Sequence, residues 1–182
     1  MDRFEPLRRR TIALVGLMGV GKSSVGRRLA NTLGLSFRDA DTEVEAAAGR
    51  SIPDIFAELG EAEFREGERK VIARLLDEAP HVLATGGGAF TDPRTRELIK
   101  AKAISVWLKT DLEVLARRIG RKDTRPLLIG KDPMDVLQAQ AAARYPTYAQ
   151  ADVTVETGDA AHHVSVDQLI RALSAYLEEQ PQ

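Results

Sequence analysis

The sequence predicts an α/β fold, a five-stranded parallel sheet flanked by helices, from three observations. Short apolar runs alternate with segments of helical periodicity along the 182-residue chain. The first apolar run passes directly into a glycine-rich loop and then into a helix. Residues able to do chemistry gather just after the runs that read as strands, where a doubly wound sheet holds its ligands.

Residues 11–15, Thr-Ile-Ala-Leu-Val, form an unbroken apolar run and read as a buried strand. Residues 24–35 recur at helical spacing, and 35–39 read as a short second strand ending in Asp39-Ala40-Asp41. A short helix over 42–48 stops at Gly49. The next helix, 51–59, has Ser51 as N-cap, Pro53 in its first turn and Gly60 as its stop. A charged amphipathic helix follows over 61–77, then a strand over 81–85 running into Gly86-Gly87-Gly88. Helix 93–102, strand 103–108 and helix 111–119 lead into a basic segment, 120–128. A long helix over 133–150 is interrupted by Pro146; strand 152–156 and helix 165–177 close the chain.

The loop after the first strand, Gly16-Leu17-Met18-Gly19-Val20-Gly21-Lys22-Ser23, fits G-x-x-x-x-G-K-[ST] at every constrained position. Its glycines let successive N–H groups point at an anion, and the helix adds its positive N-terminal end there. Lys22 would reach the β- and γ-phosphates, and the Ser23 hydroxyl would be a ligand to Mg²⁺. A chance glycine-rich turn would not need the flanking strand and helix. A dinucleotide fingerprint would need glycine where Ser24 stands. Arg8-Arg9-Arg10 before an apolar run resembles an export signal, but Gly16 and Gly19 interrupt the run and no cleavage site follows. Residues 1–10 are therefore expected to be a short, frayed, flexible extension, and 11–178 a single domain.

Lys plus Arg total 26 against 27 Asp plus Glu, a net charge of −1, which disfavours a nucleic-acid partner. No apolar stretch approaches the ~18 residues of a membrane span. With no cysteine there is no disulfide, thiol catalysis or Cys-based metal site, in keeping with a cytoplasmic location. His81, His162 and His163 join no triad or ligand spacing and are expected to be structural or surface residues.

Four elements beyond the phosphate loop stand out: Asp39 with Asp41, Phe64-Arg65, Gly86-Gly87-Gly88, and the basic loop Arg125-Pro126-Leu127-Leu128 followed by Arg144. Taken singly each has an ordinary reading as N-cap, surface charge, loop or solvated face. Together they fall at the strand ends, and their chemistry is complementary. Planar guanidinium groups bind carboxylates bidentately, and an aspartate can accept a proton from a hydroxyl.

The ordered set resembles the shikimate kinases, within the nucleoside-monophosphate-kinase-like branch of P-loop NTPases. The likeness runs from about Ile12 to about Ala175. It rests on the phosphate loop, Asp39-Ala40-Asp41, Ile55-Phe56, Gly60-Glu61-x-x-Phe64-Arg65-x-x-Glu68, Gly86-Gly87-Gly88, Arg125-Pro126-Leu127-Leu128 and Arg144-x-Pro146-x-Tyr148-x-x-Ala151-Asp152. The resemblance implies a three-layer sandwich with a mobile lid over about 120–133 and a substrate-binding region over about 39–68. It implies ATP-dependent phosphorylation of the shikimate 3-hydroxyl, in the route to aromatic amino acids. Gly19, Val20, Gly21, Lys22, Ser23 and Ser24 would hold the ATP phosphates, Arg118 would lie on the adenine, and Arg125 would reach the transferring phosphates. Ser23 and Asp39 would hold Mg²⁺. Asp41 would bind the substrate hydroxyls as the base, so that Lys22, Asp41 and Arg125 form the catalytic set. Arg65, Arg144 and the Gly86–Gly87–Gly88 turn, through the Gly87 N–H, would bind the acid, with Phe56 and Phe64 against its ring. A monomer is expected. Two departures are a serine at 24, where threonine is usual, and Glu156-Thr157-Gly158-Asp159, where some members carry a basic nucleotide contact.

A kinase of another polyol acid, such as gluconate, is the nearest rival reading; the paired arginines and the triple glycine argue against it. A non-catalytic nucleotide module is the other. A GTPase switch would show Asp-x-x-Gly and Asn-Lys-x-Asp where this chain has Thr85-Gly86-Gly87-Gly88 and Leu108-Lys109-Thr110-Asp111.

Overall fold

A computed structural model describes residues 3–120, 130–159 and 162–180. Five parallel strands form one sheet in the order β2-β3-β1-β4-β5: β1 (Thr11–Val15), β2 (Ser36–Asp39), β3 (His81–Ala84), β4 (Ala103–Lys109) and β5 (Val153–Glu156). The central strand is β1, with Leu14 level with Ala84 on β3 and Val106 on β4. Buried on both faces along its whole length, it has no need of polar alternation. At the edge, β5 alternates buried and exposed residues. Asp152 splices it to β4, its Oδ2 accepting from both the Ser105 N–H and hydroxyl at 2.8 Å.

The helices cover both faces: α1 (Glu5–Arg8), α2 (Lys22–Leu33), α3 (Ala40–Ala48), α4 (Ile52–Leu76), α5 (Pro93–Lys102), α6 (Leu112–Gly120), α7 (Pro133–Tyr148) and α8 (His162–Glu179). Helix α2 starts two residues earlier than the periodicity suggests, inside the phosphate loop, and ends at Gly34 rather than running through it. Helix α3 also starts two residues early, because the Asp39 carboxylate caps it. The expected break at Gly60 is present as a kink within α4, where φ is 82° and ψ 173°. Pro146 lies within α7 without ending it.

One segment departs from the sequence reading. Residues 1–10 were expected to fray, yet 5–8 form a helical turn and Leu7 is buried in the core. Arg8 Nε donates to the Leu33 carbonyl at 2.5 Å, satisfying an orphan acceptor at the C-terminus of α2. His81 is a buried structural residue, its Nδ1 3.0 Å from the Ala79 carbonyl. Among the described residues, no helix is long and apolar enough to cross a membrane.

Candidate active site

The loop after β1 leaves the middle of the sheet and closes at Gly21, the residue before α2. Gly19 and Gly21 have φ of 80° and 96°, backbone that a side chain would strain. The first N–H groups of α2, from Lys22, Ser23 and Ser24, thus face the open end of the loop, which Val20 seals from below at 3% exposure. Lys22 Nζ donates to the carbonyls of Gly16 at 2.5 Å and Leu17 at 3.0 Å, folding its ammonium over the loop.

At the loop mouth the Ser23 hydroxyl donates to Asp39 Oδ2 at 2.7 Å. The other oxygen, Oδ1, accepts from the N–H groups of Asp41 at 3.0 Å and Thr42 at 3.3 Å. The cap therefore fixes the carboxylate so that one oxygen faces the serine. Two adjacent hard oxygen donors suit Mg²⁺, which keeps several waters and takes one or two carboxylates plus substrate phosphates. No group of three or more His, Cys, Asp or Glu among the described residues forms an all-protein cage.

The triple glycine after β3 is the meeting point of the other predicted residues, and a missing Cβ explains each glycine. A Cβ on Gly86 would stand 2.7 Å from Asp41 Oδ1 and 3.2 Å from Glu68 Oε2. On Gly87 it would meet Arg144 Nη1 at 3.0 Å, and on Gly88 it would overlap the Arg65 guanidinium. Asp41, Arg144 and Arg65 thus lie along one short turn. The same Gly87 position is 3.7 Å from the Gly16 carbonyl and 4.0 Å from the Met18 nitrogen, so this turn also walls the phosphate loop. Phe64 is buried and stacks on the half-exposed Phe56 with ring centroids 4.7 Å apart.

Two acidic groups here have raised pKa values. Burial is the main cause at Asp41, reinforced by Asp39 and Glu45 and opposed by Lys22 and Arg65. Glu68 is raised by burial first, with Arg65 opposing and Asp41 and Asp92 adding. At 1% exposure, Glu68 pairs with Arg65 at 2.7 Å through Oε1, while Oε2 has no hydrogen-bond partner. Sequence reasoning quoted Glu68 but gave it no role. The available signal was its place on the apolar stripe of α4, with Phe64, Ile72 and Leu75, where an acid must have a partner.

On the nucleotide side, Arg118 donates to the Gly19 carbonyl at 3.3 Å and to the Gly158 carbonyl at 3.1 Å. Asp159 lies 3.9 Å from Arg118 and 3.6 Å from Arg117. The Glu156–Asp159 segment, to which no adenine contact was assigned, therefore holds the arginine that was assigned one. Arg125 and most of the expected lid, 121–129, lie outside the described residues.

A family model for shikimate kinase matches residues 18–174. The chain belongs to the shikimate kinase family. It is 70% identical over 172 residues to a shikimate kinase of Caulobacter vibrioides, covering 94% of this chain and 86% of that protein. It is 59% identical over 169 residues to one from Paramagnetospirillum magneticum, covering 93% and 87%. A solved shikimate kinase from Acinetobacter baumannii, in complex with shikimate, superposes with a TM-score of 0.87 at 37% identity over 98% of this chain and 99% of that one. A gluconokinase from Sinorhizobium meliloti has a TM-score of 0.61 at 19% identity, covering 95% and 99%, a likeness of fold alone.

Proposed function

We infer that this protein transfers the γ-phosphoryl group of ATP to the 3-hydroxyl of shikimate, a step on the route to aromatic amino acids. The observation that carries the reading is the Gly86–Gly88 turn, which gathers Asp41, Arg65 and Arg144 on one side and touches the phosphate loop on the other. An acid held there would present a hydroxyl to Asp41 within reach of a phosphate in the loop.

Arg65 and Arg144, on α4 and α7, would grip the carboxylate, and Phe56 and Phe64 would pack on the carbon ring. Asp41 would accept the hydroxyl proton; the raised pKa suits a group that must release as well as take one. Lys22 would leave the loop carbonyls for the β- and γ-phosphates. Mg²⁺, held by Ser23 and Asp39, would neutralise charge on the phosphates. Arg118 would carry the adenine, and Arg125 would add a second cation at the transferring group. On this reading the domain takes in the α1 turn as well as 11–178, with the acid-binding region over 39–68. Use of ATP and the lack of cysteine favour a cytoplasmic location, and a monomer is the proposed state.

The test is ADP release by the full chain with Mg²⁺ and ATP, comparing shikimate with gluconate. Release with shikimate and none above background with gluconate is expected. The reverse overturns the substrate assignment.

A further inference from the structure

We infer that Tyr148 is a positioning residue for the acid substrate, acting through Gly87 and Arg144. The inference rests on the function proposed above and extends it to a residue that touches neither substrate.

Tyr148 is fully buried at the last turn of α7, one helical turn after Arg144 and on the same face. Its hydroxyl donates to the Gly87 carbonyl. This fixes the plane of the Gly87–Gly88 peptide, and with it the direction of the Gly88 N–H, which points opposite to the carbonyl in a trans peptide. The Arg144 guanidinium lies on the other exposed part of Gly87, with Nη1 3.0 Å from where a Cβ would be. Its charge also bears on the Tyr148 hydroxyl, opposing the rise in that group's pKa. One hydroxyl thus fixes the wall of the acid site against which the Arg144 cation lies.

The ring is itself immobilised. Its centroid is 5.8 Å from Trp107, at the end of β4, and 6.4 Å from Tyr145. Burial raises the Tyr148 pKa, with Arg144 and Arg65 opposing, so the group stays a neutral O–H donor throughout the working range of pH. A buried hydroxyl needs an acceptor, and this one finds it across the fold, at a glycine carbonyl in the proposed acid-binding turn, rather than on its own helix. Phenylalanine would fill the same space.

Tyr148→Phe keeps the ring and removes the hydroxyl. Expected in the full chain is about a tenfold rise in the KM and Kd for shikimate, the size of one lost charge-assisted bond, with KM for ATP within about twofold. The effect should be flat from pH 6 to 9, since no titrating group is removed. Because part of its effect passes through the placing of Arg144 on Gly87, adding Tyr148→Phe to Arg144→Ala should raise KM by clearly less than the tenfold of Tyr148→Phe alone. An unchanged shikimate KM overturns the inference. So does a rise shared equally with ATP and accompanied by a fall in Tm, which would mark a purely structural residue, or full additivity with Arg144→Ala. Shikimate bound but not phosphorylated by the wild type would defeat the proposed function alone, and the Kd comparison would still decide the role of Tyr148.

Discussion

Gly88→Ala separates the fold from the site more sharply than any charge removal. The backbone at Gly88 has φ −100° and ψ −7°, which alanine adopts without strain. The three atoms nearest the added methyl all belong to the Arg65 guanidinium: Nη2 overlaps it, and Cζ and Nη1 would stand 2.7 and 2.8 Å away. Ordinary carbon contacts need about 3.5 Å, so the guanidinium must retreat by about 1.5 Å. It has room to do so, being 23% exposed with Glu61 3.7 Å away on the solvent side. Losing its aim at the carboxylate removes charge-assisted bonds of about 1.5–3 kcal/mol, a rise in shikimate KM of about 10- to 150-fold.

Stability should move less, because two effects oppose each other. Loosening the pair between Arg65 and the buried Glu68 costs about 1–3 kcal/mol, while Gly→Ala at a compatible site returns about 0.4–1 kcal/mol by restricting the unfolded chain. For a chain of this size that is a Tm fall of less than about 10 °C. Steady-state kinetics with each substrate varied in turn, beside a thermal melt, reads both quantities. Wild-type KM for shikimate in a folded Gly88→Ala protein would show that Arg65 does not bind the acid. An equal rise in KM for ATP would show that the turn serves both ligands alike.

Three further outcomes follow, those at Asp41 and Glu68 from the same geometry and that at Arg125 from the proposed function. Asp41→Asn should lower kcat by about 10²–10⁴-fold at saturating substrates, since an amide cannot take the hydroxyl proton, and near wild-type turnover would remove Asp41 as the base. Glu68→Gln tests the buried acid by its pH trend. A carboxyl whose folded pKa lies above the ordinary 4.5 contributes stability below that value and loses the contribution as pH rises through the folded pKa. Glutamine does not titrate, so Tm of Glu68→Gln minus Tm of the wild type should grow more positive from pH 4 to 8; the opposite slope would mean that Arg65 outweighs burial. Arg125→Ala should cut kcat by about 10³–10⁵-fold while changing shikimate affinity far less, as measured by single-turnover rates beside direct binding; a loss confined to shikimate binding would move Arg125 to the acid site.

What could be read from the sequence was what lies close together in it. The phosphate loop, its strand and its helix are contiguous, and so are the Asp39 cap and the stop at Gly60, each written by a few adjacent residues. Helix α1 escaped because only Phe4 and Leu7 are apolar among several arginines, and its order comes from the C-terminus of α2 and from α8. Glu68 and Tyr148 were visible as letters, but their roles lie in contacts with Arg65, Arg144 and Gly87, which only the tertiary fold brings near. The triple glycine was assigned to N–H donation toward a ligand. Its three missing side chains also have a different reason, which is room for Asp41, Arg144 and Arg65 to approach from three other elements.

The strand order was the least legible feature and the one on which the proposed chemistry depends. Local patterns give five strands but not which are neighbours. Because β1 lies beside β3, the loops that follow them are adjacent, and Gly87 stands against Gly16 and Met18. Were β2 between them, the phosphate loop and the acid-binding turn would be separated by a strand's width, about 5 Å further, too far for in-line transfer between ligands seated in each. On the proposed reading the motifs supply the donor and acceptor sites, and the pairing of β1 with β3 makes them one site.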